Sequence, residues 1–153
     1  MTQAIHGSFT VERVYDATPA RVFKAFADPE TKARWFRGPA GWEEMRREID
    51  FRPGGDEIAQ GRFPNGMETL FVSRYHEIVP DARIVHAYDM HVGGVFISVS
   101  LATIEFTLKG GKTLLRFTEQ GVFLDGDKTA NDHRRDGTQY ILEQIAAIVE
   151  GQD

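Results

Sequence analysis

Between residues 45 and 122 the chain is cut at short intervals by turn signals, and this pattern limits what it can fold into more than any other feature. The signals are Pro53-Gly54-Gly55-Asp56, Pro64-Asn65-Gly66, Pro80-Asp81, Gly93-Gly94 and Lys109-Gly110-Gly111. The runs between them are rich in β-branched and aromatic residues and show no helical period, so they read as strands. One strand contains Met45, Ile49 and Phe51, and others cover 57–63, 67–78, 83–90, 96–108 and 113–122. Asn65-Gly66 is the strongest hairpin signal, because it supplies the positive φ angles of a primed two-residue turn. Consecutive strands joined by tight turns make an antiparallel meander, and a meander with one apolar face needs a cover.

The flanks supply it. Phe9 to Tyr15 reads as a first strand. Thr18-Pro19 then gives an N-cap with proline at the first helical position, followed by the apolar stripe Val22, Phe23 and Phe26. Asp28-Pro29-Glu30 repeats the signal for a second short helix carrying Ala33, Trp35 and Phe36, and Gly38-Pro39 stops it. From about residue 129 to 150 the period changes: Tyr140, Ile141, Ile145, Ile148 and Val149 recur at three and four residues, with Leu142, Ala146 and Ala147 widening the stripe. Gly151 ends this helix. The order is β-α-α, six strands, then one long helix. The chain is therefore expected to be one α+β domain over 1–153, a curved antiparallel sheet wrapped around a long C-terminal helix.

Composition narrows the function. A chain of 153 residues is one domain by length, and a domain of this size buries roughly 70% of its unfolded surface. Eleven Phe, four Tyr and two Trp point to a large aromatic core or an aromatic-walled cavity. The net charge of −5 and the interruption of Arg46-Arg47 by Glu48 argue against a nucleic-acid partner. Cysteine is absent, which excludes disulfides, a thiolate nucleophile and cysteine metal sites. The first residues, MTQAIHGSFT, lack a signal pattern, and no apolar run approaches a membrane span, so the expected location is cytoplasmic. His6, His76, His86, His91 and His133 show no metal spacing, and no Ser lies in a nucleophile elbow. Gly54-Gly55 and Gly110-Gly111 are turn glycines without a following Lys, and Lys128 to Asp136 reads as a solvated helix start. No metal, cofactor or catalytic residue is expected.

Several local motifs carry a family likeness. Ala17-Thr18-Pro19-Ala20-Arg21-Val22-Phe23, Asp28-Pro29-Glu30 with Trp35, and Phe51-Arg52-Pro53-Gly54-Gly55 are three of them. Glu77-Ile78-Val79-Pro80 and Phe117-Thr118-Glu119-Gln120-Gly121 are two more. Together they resemble the START-like (SRPBCC, helix-grip) superfamily, and within it the family named for a co-chaperone domain that activates a heat-shock chaperone's ATPase. The resemblance implies a sheet gripping the last helix around an apolar cavity that takes a small hydrophobic or amphipathic molecule. It also implies two alternatives: an enzyme of cyclase or hydrolase type using a cavity carboxylate or His, and a chaperone-associated interaction module. The last ranks lowest, because the co-chaperone's additional N-terminal domain has no counterpart here. Where the family usually shows Gly-Trp at the start of the last helix, this chain has Gly137-Thr138.

Strand parity proposes the site. If Leu115 and Phe117 face the helix, so does Glu119, and Ile84, His86, Tyr88 and Met90 share the facing strand. The candidate ligand-binding set is Trp35, Trp42, Phe71, Tyr75, His86, Tyr88, Met90, Phe106, Phe117, Glu119, Tyr140 and Ile141. A few polar groups in an apolar cavity is how small-molecule sites are built, and a desolvated Glu119 would have a raised pKa suited to acid–base work. Each residue also has a plainer reading. Glu119 is first expected to pair with Arg13 on the neighbouring first strand, His86 to be a satisfied core histidine, and Tyr75 and Tyr88 to be core packing. Trp35 and Trp42, flanking Gly38-Pro39-Ala40-Gly41, read as lid or as core. Homodimerisation through a sheet edge stays open.

Overall fold

The computed structural model describes residues 2–151. Its elements are β1 (Ile5–Tyr15), α1 (Pro19–Ala27), α2 (Pro29–Trp35), β2 (Glu43–Ile49), β3 (Asp56–Arg62), β4 (Glu68–Val79), β5 (Arg83–Val92), β6 (Val95–Lys109), β7 (Lys112–Phe123) and α3 (Ala130–Val149). The strands form one curved antiparallel sheet in the order β1-β7-β6-β5-β4-β3-β2. Six strands run as the expected meander, and β1 closes its far side by pairing with β7, Phe9 opposite Glu119 and Val11 opposite Phe117. The fold is the helix-grip α+β fold.

Local chemistry sets the element ends. Thr18 Oγ1 accepts from the Arg21 amide at 3.3 Å, and Asp28 Oδ2 accepts from the Thr31 amide at 3.2 Å, so each short helix has a side-chain cap followed by proline. β2 is an edge strand carrying Glu43, Glu44, Arg46, Arg47 and Glu48, charges that discourage edge-to-edge pairing.

Three expectations change. β1 begins at Ile5, earlier than Phe9, because β7 continues to Phe123 and offers it a partner. Phe51 falls after β2, where its ring packs against Phe23 at 5.8 Å and Tyr75 at 5.0 Å. The Asn65-Gly66 turn is not primed. Among described non-glycine residues only Asp81 has a positive φ, so Asn65 does not adopt one. Pro64, fixed at negative φ, takes the first central position of a turn closed by Gly66 N to the Phe63 carbonyl at 2.9 Å. Gly66, at φ 89°, then absorbs the positive angle alone.

The core is asymmetric, and this creates the site. Phe9, Val11, Leu115, Phe117, Ile104, Phe106 and Ile84 from the sheet meet Val22, Phe23 and Phe26 of α1 and Leu142, Ile145, Ala146 and Val149 of α3. Burying Leu142 and Ile145 contributes about 2 kcal/mol each. Polar clamps hold the same half of α3: Tyr15 donates its hydroxyl to the Leu142 carbonyl at 2.7 Å, and Arg21 Nε donates to the Val149 carbonyl at 2.6 Å. Only the C-terminal half of α3 is packed this way. Its N-terminal half stands over the sheet with a space beneath.

Candidate functional site

That space is a cavity of about 640 Å³. Its walls are mainly apolar, with the aromatic Phe26, Trp35, Phe36, Trp42, Phe63, Phe71, Tyr88, Phe117 and Phe123 joined by Ala59, Met90, Ile97, Ile104 and Ile141. The exposed lining residues Arg37, Asp125, Asp127 and His133 mark a mouth between the α2–β2 loop and the β7–α3 loop. Phe71 is the hub of one wall, 4.8 Å from the Phe36 ring and 4.8 Å from the Tyr88 ring. Trp42 closes another. Its Nε1 donates to Thr69 Oγ1 at 3.1 Å, and it lies so close to Gly38 and Gly61 that a Cβ on Gly61 would stand 1.9 Å from the ring.

Polar groups enter at three points. Glu119, on β7, is buried and accepts the Tyr88 hydroxyl proton at 2.9 Å. Arg134, on the first turns of α3, reaches down to Glu119 at 3.4 Å, Tyr88 Oη at 2.7 Å, Ser98 Oγ at 3.0 Å and Ser100 Oγ at 3.3 Å. Its guanidinium also lies over the Tyr88 and Phe123 rings. Desolvation pushes the Glu119 carboxyl above its ordinary value, although Arg134 and the Tyr88 hydroxyl oppose the rise. Burial and the neighbouring carboxylate push the Tyr88 phenol up.

The second point is His86 on β5, buried and bonded through Nδ1 to Ser73 Oγ at 3.0 Å. Burial, aided by the Lys32 charge, lowers its pKa to about 3, so the ring is neutral at physiological pH. The third is Lys32 on α2, whose Nζ donates to Glu57 Oε1 at 2.6 Å and to Tyr75 Oη at 3.2 Å. Tyr75 donates to the same Glu57 oxygen at 2.6 Å. Among the described residues no group of three or more His, Cys, Asp or Glu is placed to hold a metal ion, and no helix is long and apolar enough to cross a membrane.

Trp35, Trp42, Phe71, His86, Tyr88, Met90, Phe117, Glu119 and Ile141 of the candidate set line the cavity. Tyr75, Phe106 and Tyr140 do not. Tyr75 lies behind the wall with its hydroxyl committed to Glu57, Phe106 packs between Phe23 and Phe26, and Tyr140 is 61% exposed on the outer face of α3. The expected Glu119–Arg13 pair is also overturned. Arg13 lies opposite Leu115, four residues along β7 and roughly 13 Å from the Glu119 position. It pairs instead with Glu143 of α3.

Arg134, Lys32, Glu57, Ser98 and Ser100 were not foreseen, and each had a signal. Arg134, Thr138, Ile141, Leu142 and Ile145 share one helical face at three- and four-residue steps, so the supposedly solvated helix start aims one cation inward. Lys32 precedes Trp35 and Phe36 by three and four residues. Glu57 shares the parity of Ala59, and Ser98 and Ser100 that of Ala102 and Ile104.

An open antiparallel sheet gripping one long helix, with an aromatic cavity between them, defines a START-like helix-grip domain. Residues 16–150 match the family model described as activator of Hsp90 ATPase homolog 1-like protein, and the chain belongs to that family. It is similar to the crystal structure of Mll3558 from Rhizobium loti, at 42% identity over 95% of this chain and 98% of that one, with a TM-score of 0.87. A putative uncharacterized protein from Rhizobium leguminosarum is 39% identical over 97% of both chains, with a TM-score of 0.90. CV1439 from Chromobacterium violaceum is 28% identical over 95% of this chain and 98% of that one, with a TM-score of 0.76. No curated protein matches the chain.

Proposed function

We propose that the protein binds a small, mainly apolar molecule in the cavity between the sheet and the N-terminal half of α3. The observation carrying this reading is a volume of about 640 Å³ walled largely by aromatic and aliphatic side chains, with charged groups at its mouth and a limited set of polar groups, Lys32, His86, Glu119 and Arg134 among them, inside, the usual make-up of a ligand site. Affinity comes from apolar area removed from water, at about 25 cal/mol per Å². The test is a thermal-shift screen of uncharged apolar compounds against the wild type and a cavity-filling Thr138→Trp variant, Thr138 being a buried lining residue. Compounds that raise the wild-type Tm and leave the variant's unchanged support the reading. Equal shifts in both place binding elsewhere.

A second reading, a protein-interaction surface, draws on Phe96, Val99 and Leu101, exposed on the face of β6 away from the cavity, the register shift at Ile97 putting Phe96 on that face. Under it, Leu101→Lys would abolish a protein contact and leave cavity ligands unaffected.

A further inference from the structure

His86 holds one ring nitrogen that the protein does not use. Nδ1 is bonded to Ser73 Oγ at 3.0 Å, and Nε2 has no hydrogen-bond partner among the described residues. The residue is only 8% exposed and lines the cavity. Ser73, 1% exposed, has no other side-chain partner. Its hydroxyl proton therefore goes to Nδ1, since the reverse assignment leaves a buried hydroxyl proton without an acceptor. The neutral ring must then carry its proton on Nε2.

Charge is already balanced around this donor. Lys32 is paired with Glu57 at 2.6 Å and Arg134 with Glu119 at 3.4 Å. A carboxylate or ammonium entering the cavity would be an uncompensated buried charge, which is costly. A carbonyl oxygen would satisfy the N–H and add no charge.

We propose that the Nε2–H of His86, set by Ser73, is the polar subsite of the cavity and selects an uncharged, mainly apolar ligand bearing a carbonyl oxygen. This rests on the cavity-binding reading and names the ligand class for that site. His86 contacts the ligand, and Ser73 is a positioning residue that fixes the tautomer.

The experiment uses three matched naphthalene probes: acetylnaphthalene, isopropenylnaphthalene (a methylene in place of the oxygen) and naphthoate. Dissociation constants are measured by calorimetry for the wild type, His86→Leu and Ser73→Ala. His86→Leu should weaken the ketone about tenfold relative to the alkene, the effect of one lost hydrogen bond. Naphthoate should bind at least about tenfold more weakly than the ketone, given the cost of burying charge. Ser73→Ala, a small change at a buried position, should reduce ketone preference with alkene affinity retained, and tests the idea if His86→Leu fails to fold. A long-range proton–nitrogen NMR spectrum of the unliganded wild type should show the His86 proton on Nε2.

Equal weakening of ketone and alkene would overturn this inference alone, leaving His86 a packing residue. Tighter binding of naphthoate than of the ketone, or a proton on Nδ1, would overturn it as well. If none of the probes binds the wild type, the cavity-binding reading fails and takes this inference with it.

Discussion

Buried polar side chains at the site are tied to partners that constrain what each can do. Glu119 shows this best, because desolvation alone would suit it to proton transfer, yet Arg134, Tyr88 and Ser100 all stabilise its charged form. Removing Arg134 leaves that carboxylate buried and unpaired, so Arg134→Ala should cost about 2–3 kcal/mol, read from urea denaturation. His86 gives a pH dependence of known sign. Its folded pKa, about 3, lies below the ordinary 6.5, so its neutral form contributes stability that is whole above pH 6.5 and lost as pH falls toward 3. Relative to His86→Leu, the wild type should lose up to about 1.4 kcal/mol per pH unit across that window. Denaturation curves measured across the window would contradict this if the two proteins fell in parallel.

Among the elements, α2 depends on a cation that its own sequence placed inside. Lys32 joins it to β3 through Glu57 and to β4 through Tyr75, and its ammonium lies 4.9 Å from the Phe36 ring. Lys32→Met should destabilise by about 3–5 kcal/mol, because Glu57 is left charged and buried. Adding Glu57→Met should recover part of that loss, and a double-mutant cycle by denaturation measures the coupling. This explains why elements were legible in the sequence while partners were not. The turn glycines and prolines, the Thr18 and Asp28 caps and the period of α3 are local signals, and they gave every strand and helix to within a few residues. Parity placed Glu119, His86 and Tyr88 inside. It could not choose Arg134 over Arg13 as the partner of Glu119, because that depends on where α3 crosses the sheet. The primed turn failed for a local reason, the proline preceding Asn65.

At the level of the whole molecule, the cavity follows from a helix packed along only half its length. Leu142, Ile145, Ala146 and Val149 fill the space under one half of α3, while Ala130, Arg134, Gly137, Thr138 and Ile141 line the cavity under the other. Thr138 is a buried lining residue with a short side chain, which is part of what keeps the space open. Thr138→Trp should abolish ligand binding while the far-ultraviolet circular dichroism stays that of the wild type. The most direct measurement is native mass spectrometry of both proteins, freshly purified and then incubated with a mixture of uncharged apolar compounds. The wild type should carry a one-to-one adduct that is absent from Thr138→Trp, and should release an uncharged carbonyl-bearing molecule. A wild type that stays at its bare mass throughout would contradict binding in the cavity.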